Sequence, residues 1–397
     1  MTGVRVTRLS TIPISVPLEA PKGGSGHPLG ATFLTHCIVK IETDAGVTGY
    51  GEISDAWGCE YAKVADAIVT EALARFAVDQ DPRDPDAIVA RARAWLRRRQ
   101  GTVWLISHAL SGVEMALWDI AGKLADKPVH ELLGGRAAAV RVYAGGNFLS
   151  QGNAAVHHAH FQPFLAKGVT AAKVRLGAKW EEEIPTLAEL RRLFGPEIAI
   201  FIDGNEAFKP TTAMRIAPRL AECGVHFFEE PCPRDDAAGL AALVASSPVS
   251  IAYGEHVFGT AGFIELAEDR VANVWQPDAA VCGGVAELRR IAAAAAERNV
   301  PLSPHSAGTP IGLAANLHAA TGAPTLTWLE MSARIDDLIP AFAGGERVST
   351  RTIKNGTLMP PDAPGIGVEP LPDISERFPY RVPPPLANAP ALYQGSV

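Results

Sequence analysis

The chain has 397 residues, 47% of them hydrophobic and 20% charged, with a net charge of -7. That is the composition of a globular enzyme, large enough for one big domain or two ordinary ones. It excludes a disordered chain and a basic nucleic-acid binder.

The N-terminal "VRVTRLSTIPISV" alternates like a strand and lacks the apolar core of a signal peptide. "PLEAPKGGSGHPLGAT", rich in Gly and Pro, reads as a loop. "THCIVKIETDAGVTGYGE" reads as strands with a turn at Asp44–Gly46. Further on, Ile106, Leu110, Val113, Leu117, Ile120 and Leu124 form one apolar stripe of a long helix. No run approaches the ~18 apolar residues of a membrane span. Five scattered cysteines without CxxC spacing point to reduced thiols in the cytoplasm rather than a disulfide frame or zinc knuckle.

From about Ala138 the rhythm changes. Eight short apolar runs, "VRVYAGG", "AAKVRLG", "IAIFIDGN", "VHFFEEP", "VSIAYGEH", "ANVWQPDA", "VPLSPHS" and "TLTWLEM", alternate with helical stretches. That count predicts an α/β fold with a (β/α)8-type barrel. An open doubly wound sheet is disfavoured, because no GxGxxG follows the first strand.

Barrel chemistry sits at the C-terminal ends of strands. There the sequence places Lys173 and Arg175, Asp203 and Asn205, Glu229, Glu255, Asp278, His305 and Glu330. Asp203, Glu229 and Glu255 lie 26 residues apart, one unit each. Three converging carboxylates call for a hard cation, and Mg2+ suits an oxygen set that leaves room for substrate. Glu230 should point away and pair with a cation in a neighbouring unit. Asp278 can orient the His305 imidazole as a base. A cation beside a poised base suits removal of a proton next to a carboxylate. His256 follows Glu255 directly, so alternation turns it away into a structural role.

In these motifs the chain resembles the mandelate racemase-like group of the enolase superfamily. "KVR", "DGN", "EEP", "GEH", "QPD", "PH" and "LEM" follow the family's order. "SGVEMALWDIAGKLADKPVHELLGG" resembles its signature helix, and "LMPPDAPGIGVEP" its return to the cap. The resemblance implies an α+β capping domain from residues 1–135, a catalytic barrel from 136–350 and a C-terminal segment, 351–397, that rejoins the cap. It implies Mg2+ on Asp203, Glu229 and Glu255, and a His305–Asp278 base dyad. Glu330 would bond the enediolate, Lys173 the substrate carboxylate, and Asn205 the substrate. Cap loops around His27 and Trp57 would close over the site and read the distal end of the substrate.

One departure matters. The family's Lys-x-Lys on the second strand is Lys173-Val-Arg175 here. Arginine is a poor base and a good clamp. One clear base suits β-elimination, so a sugar-acid dehydratase giving a 2-keto-3-deoxy acid is expected, and "GEH" also resembles such enzymes. A racemase, epimerase or cycloisomerase is the alternative, and a metal-stabilised binding protein the reading from another class. The expected partner is a small carboxylate, not nucleic acid or membrane, and a homo-oligomer is expected.

Overall fold

The computed structural model describes residues 3–17, 32–55, 58–100, 104–332 and 334–383. His27 and Trp57 lie outside them. β1 (Val6–Pro17), β2 (Phe33–Thr43) and β3 (Thr48–Ile53) form an antiparallel sheet in that order. The helix Trp104–Ala125 lies directly on β3. Alternating glycines make this possible. A Cβ at Gly49 would meet the Ala116 carbonyl at 2.2 Å, and one at Gly51 the Gly112 carbonyl at 2.0 Å.

Three fully buried carboxylates tie this layer to the rest of the chain. Glu114 accepts from Val285 N (2.7 Å) and Ala286 N (2.9 Å), at the start of the helix Val285–Arg298. Glu52 accepts from Thr309 N (2.9 Å) and Gly312 N (3.0 Å), at the start of Pro310–Ala320. Asp119 accepts from Tyr50 N (2.9 Å), Lys123 Nζ (2.7 Å) and Ile366 N (2.8 Å). Helix N-termini present unpaired N–H groups and a positive dipole end, so buried acids are stabilised there.

The parallel sheet comprises β4 (Val140–Phe148), β5 (Ala171–Arg175), β6 (Ala199–Asp203), β7 (Val225–Glu229), β8 (Ser250–Tyr253), β9 (Val274–Trp275) and β10 (Leu329–Ser332). β10 pairs back onto β4. Between β9 and β10 the expected seventh strand is reduced to Leu302, which bridges Trp275 and Leu326. Pro301 and Pro304 flank it and supply no N–H to a ladder. The eighth unit also differs. β10 is followed by a four-residue helix, Ile335–Leu338, and 3₁₀ turns. Pro340, Gly344 and Gly345 break the pattern there. The architecture is an α/β barrel sheet with helices and an N-terminal capping layer. The chain then returns to β1, where Arg381 N donates to Ser15 Oγ at 2.8 Å.

Inside the barrel, Tyr143, Phe201, Phe227, Ala252 and Val274 form a separate apolar cluster, with Phe201 and Phe227 stacked at 4.0 Å. Two residues further along the same strand faces stand Asp203 and Glu229. The barrel floor is thus aromatic and its mouth charged.

One buried pair lies away from the mouth. His130 and His318 stack at 5.2 Å with their Nδ1 atoms 3.0 Å apart, and His318 Nε2 donates to the Ile366 carbonyl at 3.1 Å. That bond leaves His318 Nδ1 to accept from His130, with no place for another proton. Burial lowers His318 from 6.5 to about 3, and the Ile366 carbonyl does not offset it. A depressed histidine contributes stability that is full above the unfolded value of 6.5 and is lost as pH falls towards 3. His318→Gln should therefore flatten the acid limb of stability across that window, measured as urea midpoint against pH. An unchanged slope would exclude this pair as a source of acid lability.

Candidate active site

Lys173 stands at the centre of the charged layer, fully buried. Its Nζ is 2.6 Å from Glu229 Oε1, 3.0 Å from Glu330 Oε2 and 3.6 Å from Asp203 Oδ2. Arg175 reaches Asp203 Oδ2 at 3.3 Å through Nε and donates to the Gly146 carbonyl. Asp203, Glu229 and Glu255 are buried, and each offers an oxygen within 4.8 Å of the others. Asp203 and Glu229 reach the mouth by strand alternation. Glu255 does not, since Ala252 faces the interior and alternation would turn Gly254 inward. Gly254, at φ 153°, redirects the chain, and a Cβ there would meet the backbone of Gln276 at 2.6 Å.

Opposite Lys173, His305 Nδ1 lies 2.9 Å from Asp278 Oδ2. Asp278 Oδ1 accepts from Ala280 N (2.9 Å) and Asn316 Nδ2 (3.0 Å). The other imidazole nitrogen, Nε2, faces Glu255 at 3.6 Å and Glu330 at 3.7 Å. Glu330 also accepts from Tyr143 Oη at 3.0 Å. Asn205 takes a left-handed turn (φ 44°) and folds its amide back onto Asp203 Oδ2 at 3.0 Å. The structure thus brings together Lys173, Arg175, Asp203, Asn205, Glu229, Glu255, Asp278, His305 and Glu330.

Two domain models match the chain. Residues 30–134 match the mandelate racemase / muconate lactonizing enzyme N-terminal domain, and residues 158–374 the enolase C-terminal domain-like model. The chain belongs to the mandelate racemase-like group of the enolase superfamily. It is 32% identical over 357 residues to D-galactarolactone cycloisomerase of Agrobacterium fabrum, covering 88% of this chain and 92% of that one. It is also 32% identical over 354 residues to arabinonate dehydratase of Saccharolobus solfataricus, covering 88% and 90%. A solved enolase-superfamily member from Polaromonas sp. JS666 superposes with a TM-score of 0.84 at 29% identity, covering 96% and 99%.

This superfamily member is an enzyme, and its electrostatics fit a divalent cation at the three acids. Burial, only partly offset by Lys173, holds Glu229 well above the usual carboxylate range, and the neighbouring acids push the same way. Burial likewise raises Glu255 against the pull of His305. Glu255 Oε2 is buried without a hydrogen-bond partner. A lysine shared among these acids leaves an oxygen-lined, electron-rich cluster, which is the donor set a hard divalent ion takes.

Glu230, the second acid of "FFEEP", turns away at φ 34° and bonds His256 Nδ1 of the next unit at 3.0 Å. Burial opposes the charged imidazole, but Glu230 and Glu255 outweigh it and raise His256 to about 10. That pair neutralises Glu230.

Sequence reasoning passed over three polar residues of the site. Gln276 Nε2 donates to Glu229 Oε2 at 2.7 Å. It stands two residues before Asp278 in "QPD", so its position was readable. Tyr143 lies among apolar strand residues and looks like core. Asn316 sits on a helix, where nothing in the local pattern points to Asp278.

Proposed function

We propose that this enzyme is a Mg2+-dependent sugar-acid dehydratase. The observation that carries the reading is an asymmetry across the mouth. One side holds an imidazole oriented by a carboxylate, and the other holds Arg175, engaged by Asp203 and the Gly146 carbonyl. A two-base racemase needs a base on each face, and a guanidinium is a poor one.

Asp203, Glu229 and Glu255 would hold Mg2+, which when bound supplies positive charge beside the substrate carboxylate. Lys173 would take a carboxylate oxygen. His305 Nε2 would remove the α-proton, with Asp278 holding the imidazole in position. The charge left on the substrate carboxylate would be stabilised by Lys173. His305 would then return its proton to the β-hydroxyl as the C–O bond breaks. Water leaves, and the enol formed becomes a 2-keto-3-deoxy acid. Burial opposes a charged His305, but Glu255, Glu330 and Asp278 raise it to about 9. A cation on Glu255 would weaken that pull and favour the neutral base.

Glu330 carries its proton less readily than an ordinary glutamate. Burial opposes its charge, and Lys173, His305 and Arg175 overcome that opposition. An ionised Glu330 has no proton to donate to an enediolate, so in place of that expected role it holds Lys173 and faces His305 in this reading. In the same reading, residues 1–135 and 351–397 make the cap and 136–350 the barrel, with the protein a cytoplasmic homo-oligomer.

A cycloisomerase on the same scaffold is the second reading, favoured by the name of one relative. A panel of sugar acids incubated in D2O with Mg2+ separates the two. The dehydratase gives a 2-keto acid lighter by one water. Deuterium uptake without that loss supports an isomerase. A panel in which no acid loses water and none takes up deuterium would overturn the proposal.

A further inference from the structure

Gln276 follows β9 directly. Val274, two residues earlier, belongs to the apolar cluster inside the barrel. Strand alternation therefore turns Gln276 inward, into the layer of the three acids, where it is buried. Its Nε2 donates to Glu229 Oε2 at 2.7 Å, while Lys173 Nζ takes Glu229 Oε1 at 2.6 Å. The reverse orientation of the amide would set its oxygen against a carboxylate oxygen, so the carbonyl Oε1 faces elsewhere. There it is buried with no donor among the described residues. A buried acceptor is costly to leave unpaired.

The main chain of this residue has separate tasks. It packs on Gly254, the glycine that redirects the chain to Glu255. Gln276 N donates to the Tyr253 carbonyl at 2.9 Å, and the next carbonyl, that of Pro277, accepts from His305 N at 3.1 Å. A change of side chain leaves those contacts in place, so it isolates what the amide does.

The amide holds one acid. Lys173 divides its N–H groups among Glu229, Glu330 and Asp203, and in the reading above it also serves the substrate carboxylate. Gln276 Nε2 has no competing acceptor among the described residues, so it stays on Glu229. Being neutral, it fixes the carboxylate without adding a positive charge that would oppose a bound cation.

We propose that Gln276 is a positioning residue of the cation site: its N–H group holds the plane of Glu229, and its orphaned carbonyl accepts from a water that the cation brings. Mg2+ keeps several of its waters when carboxylates bind it. Groups that orient a metal ligand set affinity without touching the metal. The inference rests on the cation reading of the three acids and is independent of the reaction catalysed.

The test titrates Mg2+ by calorimetry, without substrate, into the EDTA-stripped full chain and into Gln276→Met and Gln276→Asn. Methionine fills a similar volume with neither the N–H nor the carbonyl. Asparagine keeps the amide but is one methylene shorter than the reach to Glu229. Each variant should bind Mg2+ about 10- to 100-fold more weakly than the parent. Urea unfolding without metal checks that each variant folds. A folded Gln276→Met that keeps the parent's Mg2+ affinity would overturn the proposal. A lowered unfolding midpoint alone would then make the side chain a packing element, and a raised KM for a sugar acid alone would give Oε1 to a substrate hydroxyl. If neither variant folds, the side chain belongs to the barrel core and the proposal falls. A parent that binds no Mg2+ would overturn the cation reading itself, an outcome distinct from variants that bind as the parent does.

Discussion

Replacing His305 by asparagine should abolish both turnover and exchange of the substrate α-proton with solvent deuterium. His305 is the imidazole whose Nδ1 is held by Asp278 while Nε2 faces the space beside Glu255 and Glu330. Loss of a general base costs about 10²–10⁴-fold, and more where it acts together with other groups. Asparagine keeps a polar side chain but cannot take the proton. Arg175→Lys is the companion experiment. If Arg175 clamps the substrate, the lysine should weaken binding, because an ammonium lacks the planar fork. It should also open the way to exchange on the opposite face, since a lysine can lose its proton where an arginine cannot. Exchange that survives in His305→Asn, with loss of the hydroxyl blocked, would reverse the roles given to the two sides of the barrel mouth.

Glu229→Gln should remove activity that Mg2+ restores to the EDTA-treated parent, and so should Asp203→Asn and Glu255→Gln. Each change removes an anionic oxygen from a cluster that a hard cation needs intact. Stability gives a second readout. Burial and mutual repulsion hold Glu229 above its normal range, so ionising it in the metal-free parent is unfavourable. Metal-free Glu229→Gln should melt no lower than the metal-free parent. Saturating Mg2+ should stabilise the parent by roughly 2.7 kcal/mol at a hundredfold excess over Kd. The variant should gain little. Full activity in a metal-stripped parent, or an equal Mg2+ gain in both proteins, would refute the assignment.

The strand ends were legible because side chains two apart share a face. Lys173, Asp203 and Glu229 needed only that rule and the apolar runs before them. Glu255 sits one residue out of phase. Its place depends on the backbone at Gly254, which a two-residue period does not describe. Asn205 could be placed near the acids, yet its left-handed turn onto Asp203 could not be anticipated from an L-residue in "DGN". Local pattern misjudged the seventh strand, because "VPLSPHS" has a strand's composition and two prolines that forbid its ladder. The shortened eighth helix was signalled by Pro340 and the Gly344–Gly345 pair. Asn316 and the acids Glu52, Glu114 and Asp119 act across long separations in the chain, and no local window carries that information.

Those last three acids bear on how such a chain can change. Each buried carboxylate accepts from backbone N–H groups, with Lys123 Nζ added at Asp119 alone. A cap transplanted from a relative would meet the same main-chain donors whatever the barrel side chains were. Exchange between relatives would therefore be tolerated wherever those three acids and their glycine-floored strand travel together. A graft cut between Ile53 and Trp104 would separate Glu52 from Glu114 and Asp119, leaving compatibility at the seam to the relative that supplied the missing piece. Recombination breakpoints in working chimaeras should fall outside that interval.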